Sequence, residues 1–236
     1  MDDEQRSDRE RRSEDFRAGG FAILPAVVAA APFGLLLGAL AAQKGLTVAE
    51  IVAMSALVFA GSAQFVAVEL WREPAAWAAL GATAFLVNIR HVLMGASLSR
   101  RMEAFTLSVA HAGLFFLADE IWAMAERRAA TARLTPAFYA GMAVVLYLNW
   151  LAWTGLGAAF GSLIGDPARF GFDFAFTAIF IGLIAGLSKG PGSLVVLAAS
   201  GAASVAAYLA LPSPWHIVIG GLAGMAAGAV LYRRAA

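Results

Sequence analysis

Residues 21–42 read FAILPAVVAAAPFGLLLGALAA, twenty-two consecutive positions without a charge. At ~1.5 Å rise per residue, a helix of this length reaches across a hydrocarbon core of ~30 Å. Lipid offers no hydrogen-bond partners, so the run must close its own backbone N–H and C=O groups, which makes it helical. A small-x-small pattern at Ala39-Leu40-Ala41 has the look of a leader-cleavage site, but an acid-rich stretch precedes it and the apolar run exceeds a typical leader core. We read it as a retained span.

The rest of the chain repeats the theme. Of 236 residues, 61% are hydrophobic and 14% charged, and mean hydropathy is +0.74; a soluble domain is nearer half apolar and a quarter charged. Eight apolar segments are legible, near 21–42, 48–70, 75–98, 104–125, 136–160, 172–188, 193–211 and 215–232, with turn residues such as KGPG (189–192) and LPSP (211–214) between them. The expected fold class is therefore all-α: a polytopic membrane bundle of about eight transmembrane segments. Residues 1–17, with seven acids and five arginines, are expected to form a disordered cytoplasmic tail, and 18–236 a single transmembrane domain. Mixed charge and a net of +1 argue against a nucleic-acid partner. The absence of cysteine excludes thiolate chemistry and sulfur-ligated metals, and neither metal nor cofactor is expected.

Orientation follows from lysine and arginine in short loops. With the N-terminus in the cytoplasm and eight full crossings, the five tail arginines, Arg72, Arg127, Arg128, Arg133, Lys189, Arg233 and Arg234 lie inside, against Lys44, Arg100, Arg101 and Arg169 outside. Both termini are then cytoplasmic, as in a bacterial-type inner membrane protein. The pair Arg100-Arg101 is the exception in this scheme, and a re-entrant third segment would return it to the cytoplasm.

Several spans are interrupted near their centres. Segment one carries Ala31-Pro32, segment two Gly61-Ser62-Ala63-Gln64, segment three Asn88 to His91, and segment five Asn149. Helices opened at one depth persist only where protein or a watery cavity receives the freed backbone groups. Half-helix ends facing a small zwitterion are a recurring site design in secondary transporters. Glycines four apart at Gly34/Gly38, Gly157/Gly161, Gly182/Gly186 and Gly224/Gly228 are read as packing faces. Trp71, Trp77 and Trp215 read as interfacial anchors, whereas Trp150 and Trp153 flank Asn149 deep in a span.

On an unbroken helix Asn88 and His91 share a stripe with Ala84 and Gly95, while Arg90 points about 160 degrees away from Asn88. An unpaired arginine at the bilayer centre costs between about 2.5 and well over 10 kcal/mol, so Arg90 needs an anionic partner. Asp119 and Glu120 are the most interesting candidates, ahead of Glu69, Asp173 and Glu50. Either they cap a helix in water at the interface, or they lie inside, one pairing with Arg90 and the other carrying a proton. His91 is a further titratable group, read equally as a neutral hydrogen-bonded imidazole or a proton relay.

FAGSAQFVA (59–67), NIRHVLMGASL (88–98), LADEIWA (117–123) and GFDFAFTAIF (171–180), in this order and spacing, resemble the AzlC family, the large subunit of branched-chain amino acid exporters. The resemblance covers residues 16–232. It implies export of leucine, isoleucine and valine, in some members methionine, drawing on the proton motive force and working with a small AzlD-type membrane subunit. The family motifs fall on Gly61, Ser62, Gln64, Asn88, Arg90, His91, Gly95, Asp119 and Glu120. Met94 stands where tyrosine is frequent in the family and Thr177 where proline is common.

The expected activity is accordingly a secondary exporter. Backbone groups around Gly61, Ser62, Gln64 and Asn88 would hold the substrate's charged ends, Phe65, Met94 and Trp150 would meet its aliphatic side chain, Gly95 is a further expected substrate-binding residue, and Arg90, His91, Asp119 and Glu120 would supply the ion pair and proton coupling. A structural or assembly subunit is the alternative. An intramembrane enzyme is disfavoured, because no HExxH, GxSxG or similar catalytic spacing is present.

Overall fold

The computed structural model describes residues 3–71, 77–161, 190–211 and 215–235, together with Ile181 and Ala185. Segment six with Asp173 and Thr177, the pair Gly182/Gly186, and Arg72, Arg169 and Lys189 lie outside the described residues. Every regular element among the described residues is an α-helix: α1 (Asp3–Ala22), α2 (Leu24–Gln43), α3 (Val48–Leu57), α4 (Gly61–Glu69), α5 (Trp77–Asn88), α6 (Arg90–Ser99), α7 (Leu107–Phe115), α8 (Asp119–Thr131), α9 (Pro136–Phe160), α10 (Pro191–Ala210) and α11 (Trp215–Ala235). Of these α2, α9 and α10 are long and apolar enough to cross a membrane. Large apolar side chains such as Val28, Leu57, Leu107 and Leu209 stand exposed on the helices, as a lipid-facing surface requires.

The chain forms two units. The first, Met1–Ala75 with Asn88–Gly165, is built on α9. Thr135 caps α9 by accepting the Phe138 N–H at 3.2 Å, and Pro136 occupies its first turn, where a missing N–H costs nothing. α1 and α2 run parallel to α9, meeting it in ascending order: Phe16 at Gly141, Leu35 at Gly157, Ala39 at Gly161. The helices touch backbone to backbone, since a Cβ on Gly38 would lie 2.1 Å from Thr154 O and one on Gly157 2.0 Å from Leu35 O. Gly34/Gly38 and Gly157/Gly161 are thus packing faces.

Residues 3–17 differ from the expected disordered tail. They are helical within α1, and Asp15 ties them down by accepting the Thr135 hydroxyl at 2.7 Å and lying 4.0 Å from Arg128. Pro32 and Asn149 also differ from expectation, because α2 and α9 run through them unbroken. Asn149 Nδ2 donates to Val27 O at 3.2 Å, in the turns before Pro32, and its Oδ1 accepts from Trp153 Nε1 at 3.0 Å, so the amide is satisfied without opening its own helix.

Segments two and four depart from eight full crossings. α3 runs antiparallel to α9, with Val52 facing Gly155 and Ala56 O accepting the Tyr147 hydroxyl. The chain then turns at 58–60, and α4 returns: Lys44 Nζ, beside the start of α3, donates to Glu69 O at the end of α4 at 3.4 Å. The second hairpin is made by α7 and α8 around 116–118. Phe105, before α7, stacks edgewise on Tyr139, and Phe116, after it, on Tyr147, two turns further along α9. α8 comes back beside α6, with Arg90 at Asp119, Ser97 at Glu126 and Arg101 at Glu126. Arg101 therefore lies at the same end of the unit as Arg127, Arg128 and α1, not across the membrane from them. At 9 to 13 residues each, these helices are half the length a crossing needs.

The second unit holds residues Ala76–Val87 and Asp166–Ala236. Its α10 and α11 form an antiparallel pair, in which Ser200 Oγ donates to Gly220 O at 2.8 Å, Ser204 Oγ to His216 O at 3.0 Å, and Gly224 and Gly228 face Ser200 and Val196.

Candidate functional site

Both hairpins turn at the half-height of α9. Tyr147 and Trp150 are the twelfth and fifteenth of its 25 residues. The Tyr147 ring receives Phe59 on one side at 5.3 Å and Phe116 on another at 5.2 Å, one from each hairpin connection. Neither hairpin's second helix has a side-chain cap: Ala60 precedes α4 and Ala118 precedes α8. The hairpins also correspond in how they start and in the length of their connections. Thr47 and Thr106 start their first helices with nearly equal dihedrals (φ −72°, ψ 159° and φ −69°, ψ 156°), and each connection has three residues. One hairpin begins and ends at the Lys44 end of the unit, the other at the Arg101 end, so they form an inverted pair.

At the first tip, a Cβ on Gly61 would meet the Trp150 ring at 3.0 Å. Gln64 is buried; its Nε2 donates to Ser55 Oγ at 3.0 Å and its Oε1 accepts from Trp150 Nε1 at 2.8 Å. The amide is thereby spent on holding α3, α4 and α9 together. Ser62, on the next face of α4, points elsewhere and accepts from Arg90 Nη2.

Arg90 is the first residue of α6, separated from α5 by the single residue Ile89, whose own dihedrals (φ −57°, ψ −26°) are helical, so segment three is interrupted there without being opened. The same Nη2 lies 3.1 Å from Asp119 Oδ2 at the start of α8. One guanidinium therefore bridges both tips, and the N-terminal turns of α4, α6 and α8 gather around it. Helix N-termini carry partial positive charge, which accounts for the two carboxylates Asp119 and Glu120 in the first turn of α8. The Arg90 and Asp119 side chains keep 37% and 42% of their surface open, leaving room for a ligand to reach them. Glu120 is exposed and has no ion pair among the described residues. His91 Nδ1 lies 3.1 Å from Asn88 O, an acceptor, so this nitrogen carries the hydrogen.

Two polar atoms at this locus are buried with no hydrogen-bond partner among the described residues: Asn88 Oδ1 and Arg90 Nε. Of the remaining expected site residues, Phe65 and Met94 are buried, and Gly95 faces Leu114 on α7. A cleft of about 590 Å³, lined by Ala96, Ser97, Arg100, Arg101 and Glu126, opens about two turns along α6 from Arg90, at the arginine-rich end. Ser55, Phe59, Phe116 and Tyr147, which hold the tips in place, were not singled out from the sequence; the echo between Phe59-Ala60 and Leu117-Ala118 was the available signal.

A family model, the AzlC protein, matches residues 25–164, more than half of the chain and every residue of the tip cluster. The chain belongs to the AzlC family. Among AzlC-related sequences, an uncharacterized membrane protein of Archaeoglobus fulgidus is 29% identical over 199 residues, 84% of this chain and 86% of the relative. The inner membrane protein YgaZ of Escherichia coli is 29% identical over 193 residues, 79% of each. No solved structure matches. Membership and the apolar helices together make this AzlC-family chain a helical membrane protein.

Proposed function

We propose that the chain is a secondary-active exporter of branched-chain amino acids, accepting leucine, isoleucine, valine and methionine, coupled to protons and working with a small AzlD-type membrane subunit. It resides as a multi-pass protein in the inner membrane. Its eight apolar segments include two, the second and fourth, that enter to half depth from opposite faces. The end that collects the tail arginines with Arg100, Arg101, Arg127, Arg128 and Arg133 faces the cytoplasm. The observation that carries this reading is the Arg90 guanidinium held between Ser62 at the start of α4 and Asp119 at the start of α8. A cation and carboxylates at one locus, flanked by apolar helices, suit a zwitterion with an aliphatic side chain. Asp119, Glu120 and His91 are the groups through which protons couple.

Proteoliposomes containing the chain with its small partner, loaded with radiolabelled leucine, test the proposal. Leucine leaves several-fold faster when the outside is acidic than after a protonophore collapses the gradient, and empty vesicles show neither rate. Identical leucine loss from loaded protein vesicles and empty ones would refute it.

A further inference from the structure

The cleft on α6 and α8 lies away from the hairpin tips, and its walls have a chemistry of their own. Ala96, Ser97, Arg100, Arg101 and Glu126 line about 590 Å³. Two guanidiniums against one carboxylate leave this lining with a net positive charge. The carboxylate is already committed: Glu126 Oε1 accepts the Ser97 hydroxyl, and Oε2 lies 3.6 Å from Arg101 Nε. Arg100 is exposed and has no ion pair among the described residues. From Arg90, where the tips meet, to Arg100 the helix advances ~15 Å along its axis. That is half of a ~30 Å hydrocarbon core, which brings Arg100 and Arg101 to the level of lipid phosphates. Ile89, Leu93, Ala96 and Arg100 follow one another at i, i+4, i+7 and i+11, a single stripe of the helix. Ile89 and Leu93 leave 50% and 61% of their surface open. An apolar track from the bilayer centre thus ends in a cleft with spare positive charge.

We propose that this cleft binds a phospholipid of net negative charge from the leaflet at the arginine-rich end: Arg100 and Arg101 hold its phosphodiester, and an acyl chain lies along Ala96, Leu93 and Ile89. A guanidinium can give two parallel N–H bonds to phosphate oxygens, and basic pockets between membrane helices take anionic head groups in this way. Glu126 fixes Arg101 in the wall of the cleft without neutralising Arg100 beside it. A zwitterionic lipid brings its own cation, which a positively charged lining does not favour. A phosphate anion is common to lipid head groups and free phosphate esters, and the exposed apolar stripe selects the lipid.

The test is native mass spectrometry of the purified full chain in detergent, titrated with dioleoylphosphatidylglycerol or dioleoylphosphatidylcholine. The wild-type chain retains phosphatidylglycerol more tightly than phosphatidylcholine, by on the order of tenfold. Arg100→Gln removes a charge that pairs with no carboxylate among the described residues and weakens the phosphatidylglycerol adduct about fivefold, the contribution of one arginine near a membrane surface. Arg127→Gln, at the same end but outside the lining of the cleft, leaves the adduct unchanged. Equal weakening by the two variants would mean general attraction to a basic surface and would overturn the site, as would equal retention of the two lipids by the wild-type chain, an arm that needs no variant to fold. Glycerophosphoglycerol, the same head group without acyl chains, does not displace the lipid when added in excess. Displacement by it would make the cleft a site for free phosphate esters and overturn the lipid assignment.

Discussion

Arg90→Met reduces leucine efflux by on the order of a hundredfold, a loss of about 2.7 kcal/mol of differential stabilisation, in protein that still reaches the membrane. The substitution keeps the aliphatic stem and removes the guanidinium that joins Ser62 to Asp119. Asp119, with 42% of its side chain open, then loses its cation, and a solvent-accessible pair of this kind contributes little to stability. The double variant Arg90→Met with Asp119→Asn separates the two consequences. It accumulates and melts like the single variant, because an exposed pair contributes about 1 kcal/mol or less, and it does not restore efflux, because no guanidinium bridges the two tips. Efflux that returns with the double variant would make the ion pair purely structural. Free tolerance of both changes would favour an assembly subunit.

Gly157→Ala has the largest effect on folding. The added methyl would sit 2.0 Å from Leu35 O and 2.9 Å from Leu35 Cα, both backbone atoms that no side-chain rotation can clear. Overpacking in a well-fitted interior costs about 1–3 kcal/mol and occasionally more, and here the obstacle is the α2 backbone itself. Detergent-solubilised Gly157→Ala melts many degrees below wild type or fails to accumulate. Gly201→Ala serves as the control: its Cβ meets nothing within 4 Å, and it leaves the melting temperature unchanged or slightly raised. Equal melting of the two variants would mean that α2 and α9 do not pack as described.

The helical membrane class was legible because long uncharged runs have one way to satisfy their backbones. The break before Gly61 was legible too, since glycine and polar groups interrupt apolar sequence there, whereas at Asn88–Arg90 only Ile89 leaves the helix and keeps helical dihedrals. The turn at 116–118 was not, because Phe116-Leu117-Ala118 is apolar and the carboxylates after it have the signature of an interfacial cap. Pro32 and Asn149 misled because both helices run through them unbroken, the Asn149 amide being satisfied by Val27 O and Trp153 Nε1. The course of segments two and four could not be read at all, since a run of some twenty apolar residues has the same composition whether it crosses or returns. Arg100-Arg101, the exception to the charge rule under eight crossings, joins the tail arginines once segment two is a hairpin, and segment four, turning back as well, keeps Arg127 and Arg128 at the same end. Of the expected site residues, Ser62, Arg90 and Asp119 converge by contact, whereas Gln64 and Trp150 bond to each other in the packing behind them.

The central claim is that two half-length hairpins enter from opposite faces and meet at Arg90. The chain has no cysteine, so single cysteines can be placed at Lys44, Leu70, Arg101 and Arg127 and challenged with a membrane-impermeant thiol reagent from one side of sealed vesicles. Positions 44 and 70 react from the same face, and 101 and 127 react together from the other. Labelling of 44 and 70 from opposite faces, or of 101 and 127 from opposite faces, would contradict the account.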